Sequence, residues 1–100
     1  MPAVCRQGID LSTGDLTGPP RTAMTGSETV LVNNEKAVRC GDTWNVHNLH
    51  TDTQINGSPT VLVNNRPLVR IGDEITGSPD IVAEGSPNVF AGDGSQKQGC

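Results

Sequence analysis

The sequence predicts a small all-β domain of three β-hairpins with pseudo-threefold symmetry, in which the third hairpin joins the two ends of the chain. Two observations carry this prediction. Residues 26–42 (GSETVLVNNEKAVRCGD) and 57–73 (GSPTVLVNNRPLVRIGD) are identical at 12 of 17 aligned positions, with a period of 31 residues. Half copies stand near the ends, as AVCRQGID at 3–10 and GSPNVFAG at 85–92. A repeat of this length is one supersecondary unit and therefore dictates the architecture.

Each full copy has the pattern of a β-hairpin. In the first copy, residues 29–32 (TVLV) favour a strand. Asn33 and Asn34 then suit a two-residue type I′ turn, because Asn tolerates the positive φ that both turn positions require. We expect the returning strand at 37–40, and its counterpart in the second copy at 68–71. Both faces of these strands carry apolar side chains, so the sequence leaves open which face is buried.

The half copies complement each other. Residues 3–10 resemble a returning strand without its first strand, and residues 85–92 resemble a first strand without its return. An unpaired strand at either end would leave an open edge, which folded proteins avoid. We therefore expect the N- and C-terminal strands to pair as a third, split hairpin that closes the ring.

Three connections join the hairpins, at residues 11–25, 43–56 and 74–84. They hold many of the Gly, Thr and Pro residues that interrupt regular structure, and no window repeats apolar residues at helical spacing. We expect irregular connections and essentially no α-helix. A further GSP triplet at 77–79 follows Asp73 too closely to begin a hairpin, so we assign it to the third connection.

Composition bounds both the size and the partners of the protein. One hundred residues indicate one domain, which we place at 1–92, followed by a polar tail at 93–100 that we expect to be mobile. Only 33% of the residues are hydrophobic, so the small core needs support from a metal, a crosslink or a partner subunit. The net charge of −4 argues against a nucleic-acid partner. The chain lacks the pattern of a membrane span or a signal peptide, which predicts synthesis in the cytoplasm and export by another route.

The three cysteines are an odd number, so at least one has no intramolecular partner. Cys5 and Cys40 occupy positions where other copies hold Val, Gln or Ile, and buried free Cys is common. We therefore expect a disulfide-free fold with these two thiols buried. The sequence does not decide whether Cys100 is a free thiol, a crosslink to a neighbouring subunit or a metal ligand.

The two histidines of the chain are the main chemical candidates. His47 and His50 are three residues apart in the second connection, and neutral imidazole is the commonest protein metal ligand. Two ligands do not complete a tetrahedral site, so Asp15, a cysteine or water would have to contribute. The alternative is a pair of surface or locally hydrogen-bonded imidazoles.

Catalysis has little support in the sequence. An Arg-x-Gly-Asp motif recurs at 39–42 and 70–73, and its recurrence indicates ion pairs that stabilise each copy. No phosphate-binding loop or nucleophile elbow is present. An acid–base site made by the two histidines with Asp52 has no further support, so we expect no enzymatic activity.

Several segments, taken in order, resemble the PAAR-repeat proteins: PAVCRQGIDLSTG, GPPR, GDTWNVH, GSPTVLVNN with VRIGD, and GSPNVFAG, together spanning residues 2–92. The resemblance implies a small conical β-structure, one monomer of which caps a trimeric β-helical spike and pierces the target envelope in a transient contact. Such tips belong to contractile phage tails and type VI secretion machines. The end of the chain at residue 100 without a fused effector favours a tip of the phage tail baseplate, located in the virion, over secretion by a type VI system. The remaining alternative is an independent metal-binding module.

The resemblance also implies one metal ion, zinc or iron, near the apex, held by three His and one Cys from the connections. His47 and His50 match two of these histidines. Asp15 stands where relatives follow LSTG with His, and Thr76 stands nearest to their Cys. We therefore expect an altered ligand set, with Asp15 as an oxygen donor, or no bound metal.

Overall fold

The computed structural model describes residues 1–14, 19–47, 50–76, 80–92 and 96–100. Short antiparallel β-pairs make up the regular structure, and these ranges contain no α-helix, which confirms the all-β prediction. Consequently no helix in them is long and apolar enough to cross a membrane. The strands are β1 (Leu31–Val32), β2 (Glu35–Lys36), β3 (Thr43–His47), β4 (His50–Thr53), β5 (Asn56–Gly57), β6 (Leu62–Val63), β7 (Arg66–Pro67) and β8 (Gln98–Gly99).

The two predicted hairpins form around their Asn-Asn turns. Strand β1 pairs with β2, and β6 pairs with β7 in the same register. Asn33 and Asn34 have φ values of 53° and 68°, and Asn64 and Asn65 have values of 54° and 65°. Positive φ at both central positions is what a type I′ turn requires, so the turn prediction is confirmed.

The returning strands differ from the prediction. Within each hairpin the returning strand is the two residues of β2 or β7, so regular strands at 37–40 and 68–71 do not form. Ala37 and Leu68 still exchange backbone hydrogen bonds with their own hairpins, through Ser27 and Val30 and through Ser58 and Val61. From Val38 and Val69 onward the backbone bonds to the other copies. The amide of Val38 donates to the carbonyl of Cys5 (3.3 Å), Cys5 donates to Val69 (3.0 Å), and Val69 donates to Val38 (3.0 Å). This closed triangle of backbone hydrogen bonds shows that the three copies surround one axis.

The third hairpin forms from the two ends of the chain, as predicted. Ala3 pairs antiparallel with Phe90. The amide of Val4 donates to the carbonyl of Val89, and that of Ala91 donates to Pro2, both at 3.0 Å. The pseudo-threefold ring is therefore closed by non-covalent strand pairing.

The glycine that begins each copy allows the strands to approach closely. A Cβ atom added at Gly57 would lie 2.9 Å from the carbonyl oxygen of Leu68 and 3.0 Å from that of Pro67. Gly26 and Gly85 show the same close approach to their own returning segments. Because backbone atoms cannot yield as the end of a side chain can, only glycine fits this position.

The core consists of two stacked apolar clusters. We call the hairpins and split hairpin (residues 1–4, 26–36, 57–67 and 85–92) the hairpin layer, and the three connections the connection layer. The hairpin layer encloses Val4, Val32, Ala37, Val63, Leu68 and Ala91. The connection layer packs on the central triangle through Cys5, Ala23, Val38, Trp44, Val69, Ile75 and Val82.

The second connection is more regular than expected, because it contains the hairpin of β3 and β4. Trp44 drives this difference. Its ring is fully buried, and its Nε1–H donates to Oε1 of Gln54 at 2.9 Å, so the polar edge of the indole is satisfied inside the core. The other two connections form isolated bridges. The GSP triplet at 77–79 lies outside the described residues.

The expectation of a disulfide-free fold is wrong. Cys40 and Cys100 form a disulfide with Cα atoms 5.5 Å apart. Residues 96–100 also pair with the body, since β8 lies antiparallel to β5, so this part of the chain differs from the expected mobile tail. The sequence could not show either feature, because the two cysteines are 60 residues apart. Cys5 is free and buried as predicted.

Candidate functional site

The loop end of the connection layer is tied together by one arginine. In each connection, an early residue and a late residue pair as an antiparallel bridge. The residue that precedes the late member of each bridge holds an equivalent position in all three connections. The bridges are Leu11 with Thr22, Thr43 with Thr53, and Glu74 with Ile81. The equivalent positions are therefore those of Arg21, Asp52 and Asp80.

The Arg21 guanidinium bonds to both of the other connections. Its Nε–H donates to Oδ2 of Asp80 at 3.0 Å, and its Nη2 donates to Oδ2 of Asp52 at 2.9 Å. Nη1 donates to the backbone carbonyl of Asn45 at 3.0 Å. The Arg21 and Asp80 side chains are 3% and 0% exposed, so this ion pair is screened from water. One fork-shaped side chain thus crosslinks three loops, which a lysine could not do with the same geometry.

Asp80 also secures the first connection. Its Oδ1 accepts the amide of Gly14 at 3.0 Å and the Thr13 hydroxyl at 3.5 Å. The Ser12 hydroxyl accepts the amide of Arg21 at 3.2 Å. Both Asp80 oxygens are therefore satisfied, as a buried carboxylate requires. We call Arg21, Asp52, Asp80 and these partners the tip network.

The backbone places the two histidines directly opposite each other. His47 ends β3 and His50 begins β4, and the two are register partners in the antiparallel pair. Directly opposed residues are cross-strand neighbours, so the structure brings this predicted pair together at the level of the backbone. Asp15, the further ligand suggested by the sequence, lies outside the described residues.

The described residues contain no assembled metal site. Among them, no three His, Cys, Asp or Glu side chains are grouped closely enough to hold an ion. Thr76, which stands where a cysteine ligand is implied, accepts the amide of Thr53 at its hydroxyl oxygen (2.9 Å). Asp52 and Asp80 are engaged by Arg21. The three-His, one-Cys donor set is therefore not reproduced in the described part of the chain.

Ionisable groups elsewhere in the fold hold structural ion pairs, as the recurring Arg-x-Gly-Asp motif predicted. Arg39 pairs with Asp42 at 3.0 Å, and Arg70 pairs with Asp73 at 3.1 Å. Burial raises the pKa of Asp42, but hydrogen bonds from the Arg39 side chain and backbone and from the Thr25 hydroxyl outweigh it and hold the pKa below its ordinary value. This carboxylate therefore stays ionised at neutral pH.

The outer face of the hairpin layer carries three large apolar side chains. Leu31, Leu62 and Phe90 hold equivalent positions in the three hairpins and are 58%, 56% and 49% exposed. Their chain neighbours Val32, Val63 and Ala91 are buried, which is the alternation of a strand with one face on the core. The sequence alone does not distinguish these two faces. The structure assigns the outward one to a ring of three large apolar side chains.

Hydrogen bonds between neighbouring hairpins hold this face in shape. The Ser27 hydroxyl donates to Oδ1 of Asn64 at 2.7 Å, linking the first hairpin to the turn of the second. The Ser86 hydroxyl likewise donates to Oδ1 of Asn33 in the first turn, and Nδ2 of Asn33 donates to Oδ1 of Asn88. Each full turn is thereby fixed to an adjacent hairpin, so the face is rigid.

Two shallow concavities interrupt the outer face near the split hairpin. One, of about 570 Å³, is lined by Met1, Asn88, Val89 and Phe90. The other, of about 530 Å³, is lined by Met1, Thr60, Val61 and Gly92. Met1 lines both, and Phe90 of the ring lines the first. Both are open to solvent, so neither is an enclosed pocket.

Comparison with known proteins identifies the family of this fold. A family model described as the PAAR motif matches residues 13–77, almost two thirds of the chain. The match runs from the first connection to the third and so includes the first two hairpins and the two histidines. No curated protein sequence matches the chain.

Proposed function

Because the chain belongs to the PAAR-motif family, a structural family of spike-tip proteins in contractile injection machines, we propose that it caps and sharpens a trimeric β-helical spike. One chain sits on each trimer, with the hairpin layer as the docking base and the connection layer as the point. The point makes transient contact with the target cell envelope when the machine contracts. The machine is a phage tail or a type VI secretion apparatus.

The observation that carries this proposal is the threefold apolar ring of the hairpin layer. A single chain can match a threefold partner only if it offers similar chemistry three times around one axis. Leu31, Leu62 and Phe90 do so, and their exposure leaves them available for burial against the blunt end of a shaft. Burial of apolar area is the main driving force for such contacts.

The proposed mechanism is mechanical. Force enters through the docking base, passes through the close-packed clusters of both layers and reaches the loops of the connection layer. Packed protein interiors have low compressibility and therefore transmit strain. The tip network keeps the three loops from separating, because Arg21 bonds to Asp52 and Asp80 on the other two connections.

Docking can be tested by mixing the protein with recombinant β-helical spike trimers, one from a contractile phage tail and one from a type VI system. We expect one chain per trimer by native mass spectrometry, and the trimer that binds identifies the machine. Replacing Leu31 and Leu62 together by Asp should weaken binding by about 100-fold or more, because charges would replace buried apolar contacts.

Ile9→Asp serves as the matched control for docking. Ile9 is 47% exposed but lies outside the hairpin layer, so this substitution should leave binding unchanged. Failure of both trimers to bind, a different ratio, or equal loss of binding in the control would contradict the proposed docking base.

We further propose that a zinc or iron ion, when bound near the apex, is held by His47 and His50 with Asp15 as an oxygen ligand. The opposed backbone positions of the two histidines support this proposal. Elemental analysis of the purified protein should find metal that is lost when His47→Ala is combined with His50→Ala. Absence of stoichiometric metal from the unsubstituted protein would remove this site while leaving the docking proposal intact.

A further inference from the structure

Residues 96–100, which we call the C-terminal strap, lie across the body of the protein. Strand β8 pairs with β5 of the second copy. The Lys97 ammonium donates to the carbonyl of Gly72 at 2.7 Å, and Nη2 of Arg70 donates to the carbonyl of Gln96 at 2.9 Å. Several non-covalent contacts therefore position the strap independently of its last residue.

The strap ends at a disulfide that reaches a different copy. The amide of Cys100 donates to the carbonyl of Ile55 at 3.1 Å, which places its sulfur beside Cys40 of the first copy. The Cα atoms are 5.5 Å apart, the separation of ordinary disulfides. The strap thus leaves the split hairpin, crosses the second copy and ends on the first.

This path ties the C-terminal strand of the split hairpin to the first copy. The third hairpin has no turn, and its strands are held by bridges such as that between Ala3 and Phe90. The disulfide adds a covalent loop that runs from Cys40 to Cys100, with a sequence separation of 60, and so includes the second copy and the C-terminal strand. A crosslink that closes a long loop restricts the unfolded chain strongly.

The three cysteines differ in their access to a thiol reagent. Cys5 is fully buried, and burial followed by the charge of Asp10 raises the pKa of its thiol, so it is unreactive. Cys40 is 2% exposed, whereas Cys100 is an exposed residue at the end of the strap. The Cys100 sulfur lies 3.0 Å from the carbonyl of Gln54 in a part-buried contact. Of the two bonded cysteines, Cys100 is the more accessible one when the strap moves, and the buried Cys5 does not compete.

We propose that the Cys40–Cys100 pair is a thiol–disulfide switch, open in the reducing interior of the cell and closed when the protein meets a disulfide oxidant outside it. Passage between these environments rests on the proposed function, since a spike tip is made inside a cell and acts outside. On closing, the Cys100 thiolate attacks a small-molecule disulfide and releases one thiol. Cys40 then attacks the mixed disulfide at the Cys100 sulfur and releases the second thiol. Two electrons pass to the oxidant, and the two cysteine protons end on the released thiols.

The switch can be tested on the purified chain with dithiothreitol as reductant and oxidised glutathione as oxidant. Peptide mapping after oxidation should find a Cys40–Cys100 link and one free thiol at Cys5. Hydrogen exchange at the Ile55-bonded amide of Cys100 should be slower in the oxidised form by about tenfold or more, because opening of the strap is then limited by a covalent bond. Amides of the central triangle, such as that of Val69, serve as an internal reference.

Two variants make the result decisive. Cys100→Ser should show the fast exchange under both conditions, and Cys5→Ser should keep the full redox response. Absence of the Cys40–Cys100 link after oxidation, or equal strap exchange with and without dithiothreitol, would overturn the proposal. Binding to the spike trimer is measured separately on the same variants, so loss of the switch is distinguishable from failure of the docking proposal.

Discussion

Replacing Arg21 with methionine is expected to lower the free energy of unfolding by about 3–5 kcal/mol, because removing one partner of a buried ion pair leaves the other charge uncompensated. The uncompensated group is Asp80, whose side chain is 0% exposed. Asp52 and the carbonyl of Asn45 lose hydrogen bonds as well. Urea denaturation at neutral pH measures this loss. Hydrogen exchange at the amide of Gly14 should also accelerate, because the Asp80 carboxylate that accepts it is no longer fixed by Arg21.

Arg66→Met is the matched control for Arg21. Arg66 also pairs with an aspartate, Asp42, at 2.8 Å, but its side chain is 40% exposed. An ion pair with an exposed member contributes about 1 kcal/mol or less, since water screens it. Equal effects of the two substitutions, or a loss below about 1 kcal/mol for Arg21→Met, would show that the tip network does not hold the connections.

Replacing Arg70 with leucine is expected to destabilise the fold by a similar amount, about 3–5 kcal/mol. Arg70 and Asp73 are each 1% exposed, and Asp73 would lose its buried ion pair. The same guanidinium bonds to the carbonyls of Ala91 (3.3 Å) and Gln96 (2.9 Å), so the split hairpin and the strap would loosen together. Thermal unfolding with hydrogen exchange of the strap measures both consequences.

The repeat provides the control at an equivalent position. Arg6 makes the same bidentate contact with Asp10, with both distances at 2.8 Å, but its side chain is 15% exposed. Arg6→Leu should therefore cost less than Arg70→Leu and should leave strap exchange unchanged. An effect at Arg6 as large as that at Arg70 would mean that the motif, and not the burial of Arg70 beneath the strap, sets the stability.

Much of the fold was predictable because its signals are either local or repeated along the chain. The Asn33–Asn34 turn follows from the tolerance of Asn for positive φ, and the pairing of the chain ends follows from the incomplete copies at both ends. The Arg39–Asp42 pair was also predictable, because three residues separate its members. In the candidate site, the proximity of His47 and His50 was visible from their spacing.

Other features depend on contacts between distant residues. The hairpin of β3 and β4 was missed because its stability comes from burial of Trp44, and a lone tryptophan in an Asn- and Thr-rich region does not predict a strand. Arg21 was missed because its partners Asp52 and Asp80 lie 31 and 59 residues away. The period of the repeat was the available signal, since Arg21 and Asp52 are one period apart.

The sequence by itself determined the threefold plan. Each full copy carries its own turn signal and so specifies a hairpin, and the two half copies at the chain ends together specify the third. The tertiary structure alone decided which face of each hairpin is buried. Leu31 and Val32 are both apolar, so composition could not rank them, and only packing of the returning segments around the axis places Val32 inside. It also decided the fate of Cys100, because the 60-residue separation from Cys40 is bridged by folding and carries no local signature.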